Sequence, residues 1–99
     1  MRVVYTPRAQ QDLRDIASFY ILTPRTAQRF IERIRHTCLG LEMFPELGRV
    51  SNEDPSLRQL VVPKTPYTVI YKTPYTVIYR LPGGQVEIVH VADMRRSIP

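Results

Sequence analysis

The chain opens with a short apolar stretch followed by an amphipathic one. Residues 1–5, MRVVY, are rich in β-branched side chains and predict a first strand. Thr6 and Pro7 then supply a helix N-cap and a proline at the first helical position. Apolar residues recur beyond them at Leu13, Ile16, Ala17 and Tyr20. This spacing predicts an amphipathic helix of about four turns.

A second segment repeats the same pattern. Thr23 and Pro24 give another helix start, and Pro45 lies beyond the end of the periodic stretch. The apolar positions between them are Ala27, Phe30, Ile31, Ile34, Cys38 and Leu41. Because the link between the two helices is short, we expect them to pack as an antiparallel hairpin. Residues 47–48 are expected to open a loop.

After residue 55 the apolar period changes from helical to alternating. Residues 57–62 (LRQLVV), both YTVIY stretches and residues 86–92 (VEIVHVA) predict strands. The stretch LPGGQ, 81–85, predicts a tight turn, and residues 93–99 form a short basic tail. The predicted order is β-α-α-β-β-β in a single α+β domain, 1–99, with the helical hairpin packed on an antiparallel sheet.

The phrase KTPYTVIY occurs twice without a difference, at 64–71 and 72–79. Because eight is an even number, either copy presents the same residues to the core, so both are candidates for the central strand. Placing 75–79 in the sheet keeps the LPGG turn short, and this is the arrangement we predict. The surplus 64–71 is then an excursion at the sheet edge or a strand donated to a neighbouring molecule, which implies a homodimer. Replication slippage and engineering explain the duplication equally well.

Charge and composition exclude few kinds of ligand or partner. The net charge is +5, with twelve Arg and two Lys, which suits phosphate or an acidic protein equally. Cys38 is alone and lies on an apolar helical stripe, so we expect a buried thiol. His36 and His90 are the only histidines, and we expect neither a metal nor another cofactor. With no signal peptide or apolar run of membrane length, a cytoplasmic protein away from membranes is expected.

Several phrases, in this order, resemble the RelE/ParE superfamily of bacterial type II toxin–antitoxin toxins. They are YTPRAQQDLRDI (5–16), AQRFIERI (27–34), FPELGR (44–49), LRQLVVPKTPYTVIYR with one repeat copy counted, and VEIVHVADMRR (86–96). FPELGR and the strand pair around PYTVIYR favour the ParE-like branch. The resemblance implies neutralisation by a cognate antitoxin and, for ParE-like members, inhibition of DNA gyrase by binding. RelE-like members instead cut mRNA on the ribosome, with the 2′-hydroxyl as nucleophile.

The resemblance also points to candidate site residues. If the protein is a ribonuclease, Arg58 and Arg80 are candidates to hold phosphate and His90 to transfer a proton, with Tyr79 and Glu87 as weaker candidates. Strand alternation is expected to put His90 on the face of Val86 and Ile88, where a packed histidine is an equal alternative. Arg95 and Arg96 are candidates for binding the target or nucleic acid, against the alternative of a solvated basic tail. The tail lacks the Tyr that often ends the nuclease branch, so whether the chain is an enzyme stays open, as does the alternative of an inactive strand-duplicated form.

Overall fold

A computed structural model describes the backbone of residues 1–65 and 68–96 and the side chains of 1–64 and 73–95. Two helices cover a five-stranded mixed sheet of order β1-β5-β4-β3-β2. The strands are β1 (Arg2–Tyr5), β2 (Arg49–Val50), β3 (Arg58–Thr65), β4 (Thr68–Arg80) and β5 (Gln85–Asp93). The helices are α1 (Pro7–Phe19) and α2 (Pro24–Gly40). The predicted α+β class and element order are confirmed.

Both helices begin where the sequence predicts. The Thr6 hydroxyl accepts a hydrogen bond from the Ala9 N–H at 3.1 Å, the geometry of an N-cap. Thr23 also precedes a proline at the helix start, but its side chain makes no capping bond. Within the described part of the chain, no helix is long and apolar enough to cross a membrane.

The sheet differs from the prediction in two ways. β1 pairs with β5 in parallel, so the sheet is mixed and not purely antiparallel. A further strand, β2, occupies part of the segment predicted as a loop and pairs with β3 at the sheet edge. The β1–β5 pairing joins segments that are distant in sequence, whereas β2 and β3 lie within ten residues of each other. The two-residue β2 is too short to show an alternating apolar pattern.

The second copy of the repeat forms the centre of the sheet, as predicted. Tyr75 to Tyr79 lie between β3 and β5, with Val77 opposite Leu60 on one side and Val91 on the other. The predicted turn follows as a 3₁₀ turn at Pro82–Gly84. Gly83 and Gly84 have φ values of 56° and 80°, a backbone conformation that glycine adopts without steric cost.

The first copy continues the hairpin beyond the sheet. Pro63 pairs with Lys72 and Thr65 with Thr68, so β3 and β4 extend together past the end of β5. Residues 66–67 at the tip, and the side chains from 65 to 72, lie outside the described residues. Thr65 and Thr68 of the surplus are therefore paired within their own chain, whereas the prediction was an excursion at the sheet edge or a strand donated to a neighbouring molecule.

The core lies between the helices and one face of the sheet. β4 contributes Tyr75, Val77 and Tyr79, all at most 2% exposed. The other core side chains are Ala9, Leu13 and Ile16 from α1, Ile34 and Cys38 from α2, Leu41, Val62, and Val86, Ile88 and Val91 from β5. Tyr20 and Phe30, which lie on the predicted apolar stripes of the two helices, are half-buried and pack against this cluster.

Candidate functional site

The Arg58 side chain hydrogen-bonds to the loop that precedes β2. Its Nη1 donates to the carbonyl of Gly48 at 2.8 Å and to that of Glu46 at 3.3 Å. Strand pairing places Arg58 opposite Tyr79, on the face that carries the core. A guanidinium that satisfies two backbone carbonyls in this way acts first as a tether of the loop.

Tyr79 holds the same loop from beneath. Its hydroxyl accepts a hydrogen bond from the Gly48 N–H and donates one to the Pro45 carbonyl, both at 2.8 Å. The side chain is fully buried, and burial raises the pKa of Tyr79 above the ordinary tyrosine value. A phenol that is buried and makes two hydrogen bonds is a structural element and a poor proton donor at neutral pH.

Arg80 and Glu87 pair with each other across the β4–β5 hairpin. Their side chains approach to 2.6 Å, and Arg80 remains 51% exposed. A candidate for holding phosphate, Arg80, and a weaker candidate, Glu87, thus form one cross-strand ion pair. Arg80 keeps enough exposure to contact a partner, but its carboxylate neighbour offsets the charge it offers to phosphate.

His90 lies beside the first helix. Its Nδ1 is 2.7 Å from Oδ2 of Asp12, and the same oxygen accepts the Val91 N–H at 2.9 Å. In the neutral tautomer that donates from Nδ1 to this carboxylate, Nε2 is an acceptor, and Nη2 of Arg8 lies 3.4 Å from it. Arg8, His90 and Asp12 therefore form a short polar chain that links α1 to β5.

The expected orientation of His90 is wrong, and a β-bulge is the reason. β5 pairs Ile88 with Tyr79 and His90 with Ile78, so Val89 is an extra residue in this strand. Alternation is reversed at this point, and Val91 takes the buried position in place of His90. Thr6 contacts this bulge: its N–H donates to the Ile88 carbonyl, and its hydroxyl donates to the Val89 carbonyl.

Arg95 contacts aromatic residues and an acidic residue on one side. Its guanidinium bonds to Asp93 at 2.9 Å and to the hydroxyls of Tyr20 at 3.1 Å and Tyr75 at 3.3 Å. It also lies 5.7 Å from the ring centres of Phe19 and Tyr75. The contacts attach the end of β5 to the turn between the helices, and its side chain is nevertheless about half exposed. The side chain of Arg96 lies outside the described residues.

The predicted catalytic residues are each fixed by other parts of the fold. Among the described residues, no hydrogen bond joins any two of Arg58, Arg80 and His90, and each has its own partner on a different element. In the same part of the chain, no three metal-ligating side chains lie close enough to hold an ion. Sequence reasoning missed Asp12 and Arg8 as the partners of His90, since an (i, i+4) spacing on one helix does not identify the strand that faces it.

A long groove runs along the outer side of the helical hairpin. Two adjoining cavities, of about 570 and 420 Å³, share Ala17, Ile31 and Arg35 in their walls. We call this continuous surface the helical groove. It extends from Val3 and Val4 at one end to Ile21 and Pro24 at the other, with Arg14 on its rim. Ala17, predicted on the apolar stripe of α1, is exposed here and does not contribute to the core.

Comparison with known proteins places this arrangement in a family. Residues 3–98 match the family described as ParE toxin of type II toxin-antitoxin system, parDE. No curated protein matches the chain. A solved structure described as "Chromosomal ParDE TA system from P. aeruginosa" shares its fold, with a TM-score of 0.73 and 22% sequence identity over 94% of this chain and 95% of that one. Because the family match spans nearly the whole sequence, the chain belongs to the ParE toxin family of type II toxin–antitoxin systems.

Proposed function

We propose that the protein inhibits DNA gyrase by binding it and is neutralised by a cognate antitoxin. The observation that supports this proposal is that Arg58, Arg80 and His90 are each held by a different partner within the fold. Strand cleavage of RNA needs a base, an acid and a cation converging on one phosphate. Binding needs no such convergence, and membership of the ParE family supports the same conclusion.

A supercoiling assay tests the proposal directly. Purified protein should reduce the supercoiling of relaxed plasmid by gyrase, and added antitoxin should restore it. Unchanged supercoiling at a large molar excess of folded protein would remove gyrase as the target. Since gyrase acts on the chromosome, the proposal places the free toxin in the cytoplasm.

We further propose that the antitoxin occupies the helical groove. Its floor offers apolar contact at Ala17 and Ile31, while Arg14 and Arg35 present positive charge beside it. Ile21 and Leu22, 74% and 93% exposed, add apolar surface where the groove reaches the turn between the helices. An amphipathic segment with acidic residues complements this combination, and the net charge of +5 attracts it.

Two matched substitutions on α1 test that location. Ala17→Glu puts a charge into the groove, whereas Ser18→Glu adds the same charge at an exposed neighbour outside it. We expect Ala17→Glu to weaken antitoxin binding by at least about tenfold, or 1.4 kcal/mol, and Ser18→Glu to have a much smaller effect. Equal effects from both changes would place the antitoxin elsewhere. Calorimetric titration of each variant with antitoxin supplies the measurement.

A ribosome-dependent mRNA endoribonuclease is the second candidate function. The observation in its favour is the 2.7 Å contact between His90 and Asp12, beside a cavity of about 260 Å³ that both residues line. A carboxylate that orients an imidazole is a common arrangement for proton transfer. Primer extension on translated mRNA should then show discrete cuts that His90→Ala abolishes. Intact message during growth arrest contradicts it.

We also propose a homodimer built on the duplicated strand. β4 pairs with β5 only from Tyr75 onward, so in the described part of the chain no strand covers the β5-side edge of residues 68–74. An open β edge of this kind favours pairing with a second copy. Light scattering after gel filtration should give twice the chain mass, and Val69→Pro should lower it. A monomer at all concentrations rejects this interface.

The alternative hypothesis is that the duplication inactivates the toxin. Comparing growth on expression of the full chain with growth on expression of a chain lacking 64–71 separates these cases. Arrest by the shorter chain alone means that the duplication has inactivated the toxin.

A further inference from the structure

Every buried position of the second repeat copy has an identical counterpart in the first. Within 72–79, Thr73, Tyr75, Thr76, Val77 and Tyr79 are each at most 7% exposed. The residues eight positions earlier, at 65, 67, 68, 69 and 71, are of the same types in the same order. Because the offset is even, a shift of β4 by eight residues keeps every side chain on its present face.

The partners of these buried side chains come from other elements of the fold. The Tyr79 hydroxyl bonds to Gly48 and Pro45, and the Tyr75 ring packs edge-on against Phe30 with the ring centres 5.2 Å apart. None of these partners belongs to the repeat. After the shift, Tyr71 and Tyr67 would present the same groups to the same partners, so the core would be refilled without a change of chemistry.

The cost of the shift lies outside the core. Leu60 and Val61 would pair with the first copy, and the surplus would move into the connection to β5, replacing the short turn at Pro82–Gly84. Lys72 would replace Arg80 opposite Glu87, which gives a weaker ion pair than the present contact at 2.6 Å. The pairs Pro63–Lys72 and Thr65–Thr68 would also be lost. Loop-closure entropy grows only slowly with length, so the observed register is favoured chiefly by these specific contacts.

We propose that the first copy is a spare central strand. When the second copy cannot fill the core, β4 shifts by eight residues and 67–71 take the place of 75–79. The inference is independent of whether the toxin acts on gyrase or on the ribosome, since it concerns only which segment completes the sheet.

Three full-length variants test the shift. Val77→Asp puts a carboxylate where the side chain is fully buried, Val69→Asp makes the same change in the first copy, and the third variant carries both. We expect Val69→Asp to unfold close to the wild-type temperature and Val77→Asp to keep a cooperative transition at a lower temperature. The double variant should show none, because neither copy can then fill the core.

Hydrogen exchange with mass spectrometry identifies the strand in use, because each substitution gives the two copies different masses. Slow exchange should lie in 75–79 for Val69→Asp and in 67–71 for Val77→Asp. Three results would each overturn the proposal. The first is that Val77→Asp is as unfolded as the double variant, and the second is that the double variant remains folded together with Val77→Asp. The third is that Val77→Asp keeps its slow amides in 75–79.

Discussion

Removing the hydroxyl of Tyr79 should destabilise the domain by more than the loss of one hydrogen bond, because this oxygen makes two. In Tyr79→Phe the ring still fills the core, but the Gly48 N–H loses its acceptor and the Pro45 carbonyl its donor, each now bonded at 2.8 Å. A net hydrogen bond contributes about 0.5–1.5 kcal/mol, and a buried polar group left unpaired costs about 1–3 kcal/mol. Gly48 is itself buried, so its N–H has no ready access to water.

We therefore expect Tyr79→Phe to lower the free energy of unfolding by about 2–4 kcal/mol. For a domain of this length, that change lowers Tm by roughly 10–25 °C. Chemical denaturation followed by circular dichroism gives the first value, and a thermal scan gives the second. The total stability of small domains is about 5–15 kcal/mol, so the variant should remain folded at 25 °C.

Tyr20→Phe is the matched control. It removes a hydroxyl that bonds to Arg95 at an exposed site, where water replaces the lost partner. We expect its cost to stay below about 1 kcal/mol. If Tyr79→Phe costs no more than Tyr20→Phe, the hydroxyl of Tyr79 does not hold the loop, and the assignment of Tyr79 as a structural residue is wrong.

Three further predictions follow from the same buried groups. Gly48→Ala places a methyl group 2.7 Å from the Tyr79 side chain and 2.9 Å from a backbone oxygen, so denaturant titration should show a loss of about 1–3 kcal/mol; wild-type stability would mean that the loop yields freely. Burial raises the pKa of the Cys38 thiol to about 11, so a thiol reagent at pH 8 should label it only at the rate of unfolding, and rapid labelling of the native protein would contradict this. Burial also raises the pKa values of Tyr5, Tyr75 and Tyr79, so the folded state holds these protons more tightly than the unfolded state. Their contribution to stability is complete below the ordinary tyrosine pKa of about 10 and is lost as pH rises further, so Tm should fall above pH 10, and a constant Tm up to pH 11 would refute it.

Much of this fold was predictable because its signals are local. The Thr-Pro pairs mark the starts of both helices within a residue, since capping and the fixed φ of proline act over one turn. The choice between two identical strands also came from a local feature, the short turn with glycines at Gly83 and Gly84 that only the second copy adjoins. The resemblance to the RelE/ParE superfamily is confirmed by the family match across residues 3–98.

The site, by contrast, was decided by tertiary structure. The sequence alone identified Arg58, His90 and Arg95 as candidates by residue type, but not the carbonyls, the carboxylate and the aromatic rings that hold them. Each of those partners lies on another element, and the bulge at Val89 that redirects His90 arises where β1 ends and α1 begins. Capping and periodicity are properties of consecutive residues, whereas the partner of a charged side chain depends on which distant segments the hydrophobic core brings together.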